Sequence, residues 1–281
     1  MTAKKAWIKI RFEKDPRVSE QLDRMTELGE IPSMEETDFA LFVLDDWNNR
    51  KALRKTLREA FPDTDWTEEV LEDRDWNRGW IEGFQPIRVH GTLWVTPPWH
   101  LDRIPEGHET VIINPGAAFG TGTHESTRLA LQAMTGLLKK GDRVLDLGCG
   151  SGILSIAARK MGAGRVHAID NDPEIGDNLS ENLRLNGAAD ISWEIRDILA
   201  MRDFSCDLAL INIQKHIILP LLERFNIAKG TPERVILAGL LFEHRGDVET
   251  ALESSSYKVL DVFRMNDWIA VSAVRRSINE K

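Results

Sequence analysis

The 281-residue sequence has only two cysteines, Cys149 and Cys206, far apart in the chain. That scarcity excludes a disulfide framework and a cysteine metal cluster, and a reducing cytoplasm is the expected setting. Long apolar runs are missing as well. None approaches the roughly 20 residues that cross a bilayer, and the opening MTAKKAWIKIRFEKDP alternates like a strand instead of forming a secretory core. A soluble protein is expected. Positive charge is in short supply, with a net charge of −9; an acidic surface repels phosphate backbones, so a protein is the better expected partner than nucleic acid. Low complexity is rare and no internal repeat is visible. What is present is the ordinary balance of a globular chain, 42% hydrophobic and 29% charged, long enough for about two domains with proper cores.

The texture changes near residue 100. Before it, AWIKIRF reads as a strand, VSEQLDRMTELG as a helix closed by Gly29, FALFVLDD as a strand and RKALRKTLREAF as a helix. Two more strands around PIRVHGTLWVTPPW are expected to complete a small α/β (α+β) domain over residues 1–95. The Pro-rich, polar stretch that follows reads as a linker, 96–110. From Val111 to the end at 281, short apolar runs (RVLDL, RVHAID, ISWEI, LALINI, RVILAGLL) alternate with helical patterns. Near-continuously apolar strands between helices predict a parallel sheet covered on both faces. The last runs, YKVLDVF and WIAVSAV, are separated only by RMND, too short for a crossover helix. They predict a closing hairpin, and with it a seven-stranded, mostly parallel, Rossmann-like sheet.

Chemistry begins at VLDLGCGSGIL. Gly148, Gly150 and Gly152 lie between a buried strand and a helix, where missing side chains admit a ligand close to the backbone. The spacing is G-x-G-x-G, whereas a dinucleotide fingerprint would need its third glycine at Ile153, so a pyrophosphate is not the expected ligand. Asp146 before the loop suits a ligand with a positive amino group or sulfonium. Asp170, ending the next strand, is placed to accept from ribose hydroxyls. Asp197, after the third strand, is a candidate acceptor for an adenine amino group; its alternative is to begin a helix.

VLDLGCGSGIL, VHAIDNDP and NLRLNG together resemble an S-adenosylmethionine-dependent class I methyltransferase. NPGAAFGTGTHEST just upstream, with PIRVHGTLWVTPPW before it and LINI after, is similar to the ribosomal protein L-eleven methyltransferase family of bacteria. The resemblance covers roughly residues 80 to 275. It implies a cofactor contact at Thr127, although Ser126 and Thr127 also stand where they would cap the helix RLALQAM. Phe119 is a candidate cover for the methionyl or adenine part, or else a core aromatic. His124 has no obvious metal-binding companion and is expected to be structural, and no metal is expected at all.

The resemblance further implies that the amino domain, residues 1 to about 95, grips ribosomal protein L-eleven. The larger domain would then transfer methyl groups from S-adenosylmethionine to lysine side chains and the N-terminal amine, leaving S-adenosylhomocysteine. Asn212, at the end of LALINI, falls where the family has its cofactor-binding and active-site asparagine, beyond the carboxyl end of a strand. After Asn-Ile the family pattern continues with Leu and Ala; here Gln214 and Lys215 follow, which makes the expected pocket wall more polar. Two rivals stand beside this reading: a methyltransferase of another protein or small molecule, and a noncatalytic module keeping the fold as a scaffold. Membrane partners are not expected, nor nucleic acid beyond contact with the ribosome.

Overall fold

Residues 6–27, 31, 34–36, 40–46, 49–72, 84–91, 93–115, 122 and 124–276 are described by the computed structural model. They divide into two units, Met1–Gly83 and Phe84–Lys281. In the first, β1 (Ala6–Glu13), α1 (Pro16–Glu27), β2 (Met34–Glu36), β3 (Ala40–Asp46), α2 (Arg50–Ala60) and β4 (Trp66–Glu72) follow in order. The sheet is antiparallel with strand order β2-β3-β1-β4. Alternation along β1 turns Ile8, Ile10 and Phe12 toward one core with Val18, Leu22 and Met25 of α1 and Leu53 and Leu57 of α2. The basic residues of α2 are partly engaged: Arg54 bonds Glu68 through Nε at 2.9 Å, and the Arg58 guanidinium lies 3.8 Å from the Trp66 ring centre.

The fourth strand of this unit is not the one expected. β4 is WTEEVLE, whose three glutamates hid its alternation, while the strands read at PIRVHGTLWVTPPW belong to the second unit. There β5 (Ile87–His90), β6 (Leu93–Thr96) and β7 (Glu109–Ile112) form a three-stranded sheet in that order. The division thus falls at 83/84 and not near 95. The stretch read as a linker connects two strands that pair in parallel, Leu93 opposite Glu109 and Thr96 opposite Ile112. Their shared core with the larger sheet, through Leu93, Val95, Val111 and Ile113, is the physical reason.

The larger sheet consists of β8 (Arg143–Leu147), β9 (Arg165–Asp170), β10 (Ser192–Ile195), β11 (Leu208–Asn212), β12 (Arg234–Leu241), β13 (Tyr257–Met265) and β14 (Trp268–Arg275). Its order is β10-β9-β8-β11-β12-β14-β13, parallel except for β14. This is the expected seven-stranded α/β architecture with its closing hairpin. Helices α3 (Glu125–Leu137), α4 (Ile153–Lys160) and α5 (Gly176–Leu185) cover one face. Helices α6 (Lys215–Ile227) and α7 (Arg245–Ser254) cover the other. Among the described residues no helix is long and apolar enough to cross a membrane.

At the amino-terminal edge of the sheet, Arg234 is buried. Its guanidinium donates to Asp142 Oδ1 at 2.8 Å and to the Leu137 carbonyl at 2.7 Å, with both side chains of the pair under 10% exposed at 7% and 8%. Removing one partner of such a pair strands a buried charge. Asp142→Ala is expected to lower the unfolding free energy by about 3–5 kcal/mol in urea titrations. Glu59→Ala, which removes an exposed pair with Lys55, is expected to cost under about 1 kcal/mol.

Candidate functional site

The chain reverses its direction of travel across the sheet between β8 and β11, so the loops following these two strands part there and leave a crevice. A cavity of about 520 Å³ occupies it, a size suited to a nucleoside-sized ligand. Gly148 and Gly150 after β8, Asp170 at the end of β9, Asp197 after β10 and Asn212 at the end of β11 all line it. Five of the residues singled out from the sequence therefore meet at one place.

The glycine loop works differently from a phosphate cradle. Gly148 and Cys149 donate their N–H groups to the Ile169 carbonyl, at 2.8 and 3.1 Å, and Gly152 donates to Cys149 at 2.9 Å. Gly150 donates to Asp170 Oδ2 at 2.8 Å. Four loop amides are thus spent inside the protein, and what the loop offers a ligand is close approach. Asp170 also accepts from the Asp172 N–H at 3.1 Å, yet each carboxylate oxygen keeps a further lone pair for a hydroxyl. Asp197 accepts from Leu199 N–H at 2.8 Å and caps the short helix Ile198–Ala200, so it begins a helix while standing at the cavity wall.

Three expected contacts are placed elsewhere. Gly152 caps α4 and does not line the cavity; a Cβ there would strike Leu179, so its glycine serves helix packing. Asp146 is buried beneath the loop, where Oδ2 accepts from Ser155 at 2.6 Å and Oδ1 has no partner among the described residues. Burial, against the hydrogen bonds from Ser155, pushes its carboxyl up to about 7. Thr127 is fully buried and reaches Asn212 instead of the cavity: its hydroxyl accepts from Asn212 Nδ2 at 3.2 Å. That bond leaves Asn212 Oδ1 buried and without a partner among the described residues. Phe119 lies outside the described residues.

The segment that carries Thr127 is tied down at its start by two asparagines one turn apart on α5. Asn182 accepts from Asn114 N–H at 2.8 Å and donates to the Ser151 carbonyl at 3.0 Å. Asn178 donates to the Asn114 carbonyl at 3.0 Å. At its end, His124 rather than Ser126 or Thr127 caps α3, its Nδ1 accepting from Ser126 N–H at 3.2 Å. His124 also lines the cavity, edge-on to Trp268 with ring centres 4.4 Å apart. Trp268 escaped the sequence reading although the topology held a signal. An antiparallel strand begins where parallel strands end, so the first residue of β14 stands at the ligand edge. Gly239 and Gln214 are further wall residues. Cys149 lines the wall too, its thiol pushed up by burial and so kept protonated.

The comparisons with known proteins agree over nearly the whole chain. A family model described as ribosomal protein L11 methyltransferase (PrmA) matches residues 9–276. The ribosomal protein L11 methyltransferase of Methylococcus capsulatus is 36% identical over 80% of this chain and 78% of the relative. That of Marinobacter nauticus is 30% identical over 96% of this chain and 99% of the relative. A crystal structure of ribosomal protein L11 methylase from Lactobacillus delbrueckii subsp. bulgaricus superposes with a TM-score of 0.62 at 31% identity, covering 69% of this chain and 100% of that one.

The raised Asp146 carboxyl has a measurable consequence in the ligand-free protein. Below pH 3.8, the ordinary value, folded and unfolded chains both hold the proton; as pH rises toward about 7 only the unfolded chain releases it, so stability falls. Above about 7 the loss is complete. Thermal unfolding of the wild type and Asp146→Asn is expected to diverge progressively over this window, the variant losing less. Parallel pH profiles would show that Asp146 ionises as freely folded as unfolded.

Proposed function

Because this chain belongs to the ribosomal protein L11 methyltransferase family, we propose that it transfers methyl groups from S-adenosylmethionine to amines of ribosomal protein L11. The observation that carries the reading is Asn212, a residue of the cavity wall whose amide is held by Thr127 and whose side-chain oxygen is buried with no partner among the described residues. The residues present fit the cofactor: the glycine loop admits close approach, Asp170 and Asp197 offer acceptors at the wall, and no lysine or arginine among the described residues lines it. When bound, S-adenosylmethionine supplies a methyl group already activated on a sulfonium.

The protein's own work is then to bring a neutral amine into line and keep water away. Asn212 Oδ1 accepts an N–H of the incoming amine, which turns the nitrogen lone pair toward the methyl group. Ile198, Leu199, Ile213 and Ile217 supply apolar wall, and a poorly solvated pocket favours the uncharged amine over the ammonium form. Lys215 is drawn away to Asp247 at 3.1 Å, so its charge is neutralised outside this step. Gln214 does line the cavity and supports the second reading, a methyltransferase whose substrate presents a more polar group than the family's usual one. The first unit, by this proposal, holds the substrate protein, and the reaction takes place in the cytoplasm. The net charge of −9 supports a protein partner over direct contact with nucleic acid.

Mass spectrometry of purified ribosomal protein L11 after incubation with enzyme and S-adenosylmethionine is expected to show added methyl groups; an unmodified substrate would refute the proposal. Asn212→Ala is expected to slow transfer by on the order of 100-fold, with a smaller effect on cofactor affinity. Thr127→Val keeps the shape and removes the acceptor for Asn212. It should lower the rate by about 10-fold while calorimetry finds cofactor binding nearly unchanged; a matching loss of affinity would restore Thr127 to direct cofactor contact. Residues 84–281 expressed alone are expected to bind S-adenosylmethionine and to methylate the ribosomal protein poorly. Full activity of that fragment would remove the substrate-holding role from the first unit.

A further inference from the structure

Strand β12 is irregular at one point, and that point touches the segment carrying Asn212. Its pairing with β14 slips between Leu237 and Leu240, and Gly239 in the gap has φ 76, a conformation that side chains rarely adopt. Bulges re-aim a strand and gather beside functional sites. Here the cause is contact. A Cβ on Gly239 would lie 2.9 Å from the carbonyl carbon of Ile213 and 3.0 Å from its nitrogen, and nearer still to its carbonyl oxygen. All three are backbone atoms, which cannot swing aside as the end of a side chain does.

Gly148 meets the same residue in another way. With φ 85, it has its missing Cβ directed at Cγ2 of Ile213, with Ile213 Cβ at 3.7 Å. Ile213 is therefore held by its main chain on Gly239 and by its side chain on Gly148. The residue before it is Asn212.

We propose that Gly239 is a positioning residue for methyl transfer: by admitting the Ile213 main chain against β12, it sets where Asn212 stands at the cavity wall. This rests on the reading of Asn212 as the group that orients the amine. The division of contacts separates the role of Gly239 from that of Gly148, since only the Gly148 contact disappears when the Ile213 side chain is shortened. It also predicts which half of the reaction suffers. Displacing Asn212 misplaces the amine, whereas the cofactor loop stays where Ile169 and Asp170 hold it.

The test uses the full chain carrying Gly239→Ala. The kcat for ribosomal protein L11 is expected to fall at least about 10-fold while cofactor affinity stays within about threefold, since a small misplacement is costly to rate and not to binding elsewhere. Cooperative thermal unfolding is retained, and the side-chain amide resonances of Asn212, identified by their disappearance in Asn212→Ala, shift. Gly136→Ala, at a helical glycine with open space around it, is the control and moves none of these. Ile213→Ala, which leaves the main chain in place, fails to restore kcat to Gly239→Ala. An unmoved Asn212 resonance, an unchanged kcat, or rescue of Gly239→Ala by Ile213→Ala overturns the proposal. So does loss of cooperative unfolding, which would make Gly239 a requirement of the fold alone. If the wild type leaves ribosomal protein L11 unmodified, the functional reading fails, and the Asn212 resonance by itself still decides whether Gly239 places that side chain.

Discussion

Everything at the site depends on main chains lying closer together than side chains would permit. The strand order places β8 beside β11, and the loops that leave their carboxyl ends must share the same small space. Two missing side chains make this possible: Gly148 accepts the Ile213 side chain, and Gly239 accepts the Ile213 main chain. Neither glycine is there for flexibility. Both sit in a fixed left-handed conformation, and the gain is that Asn212 and the glycine loop are located relative to each other by contact instead of by a chain of intervening side chains.

A second constraint is the satisfaction of buried backbone polar groups. β7 is the edge of its sheet, with one row of amides and carbonyls unpaired by any strand among the described residues. Asn186 completes it: the side-chain amide accepts from Ile112 N–H at 2.8 Å and donates to the Ile112 carbonyl at 2.6 Å, as a neighbouring strand would. Asn182 continues the pattern at Asn114 and reaches the glycine loop through Ser151. Because an unmet buried donor costs about 1–3 kcal/mol, these amides fix the small sheet, the start of the segment 114–127 and the cofactor loop in one hydrogen-bonded register.

Periodicity and spacing made much of this legible. The seven strands, the closing hairpin and the positions of Gly148, Gly150, Asp170, Asp197 and Asn212 follow from apolar runs and from the rule that ligands collect beyond the carboxyl ends of parallel strands. What escaped depends on neighbours distant in the chain. WTEEVLE forms β4 because β1 pairs with it over Ala6–Phe12, a pairing that its own glutamates obscure. Thr127 reads as a ligand contact or a cap until Asn212, 85 positions away, is seen to donate to it. The asparagines of NLSENLRLN look like ordinary polar helix residues, since nothing local shows which strand edge they complete.

The electrostatics of the cavity also suit a cation better than an anion. Among the described residues its wall has two carboxylates, Asp170 and Asp197, with His124 and Cys149 as the other titratable groups, and Asp146 lies buried beneath the loop with its carboxyl near 7. A cation arriving above such a group favours its ionised form, so Asp146 strengthens its attraction as the charge approaches. On the proposed reading, methyl transfer would leave the cofactor without its sulfonium charge. Asp146 would then lose the partner that favours its ionised form, and the acidic surroundings would attract the uncharged product less than the charged cofactor.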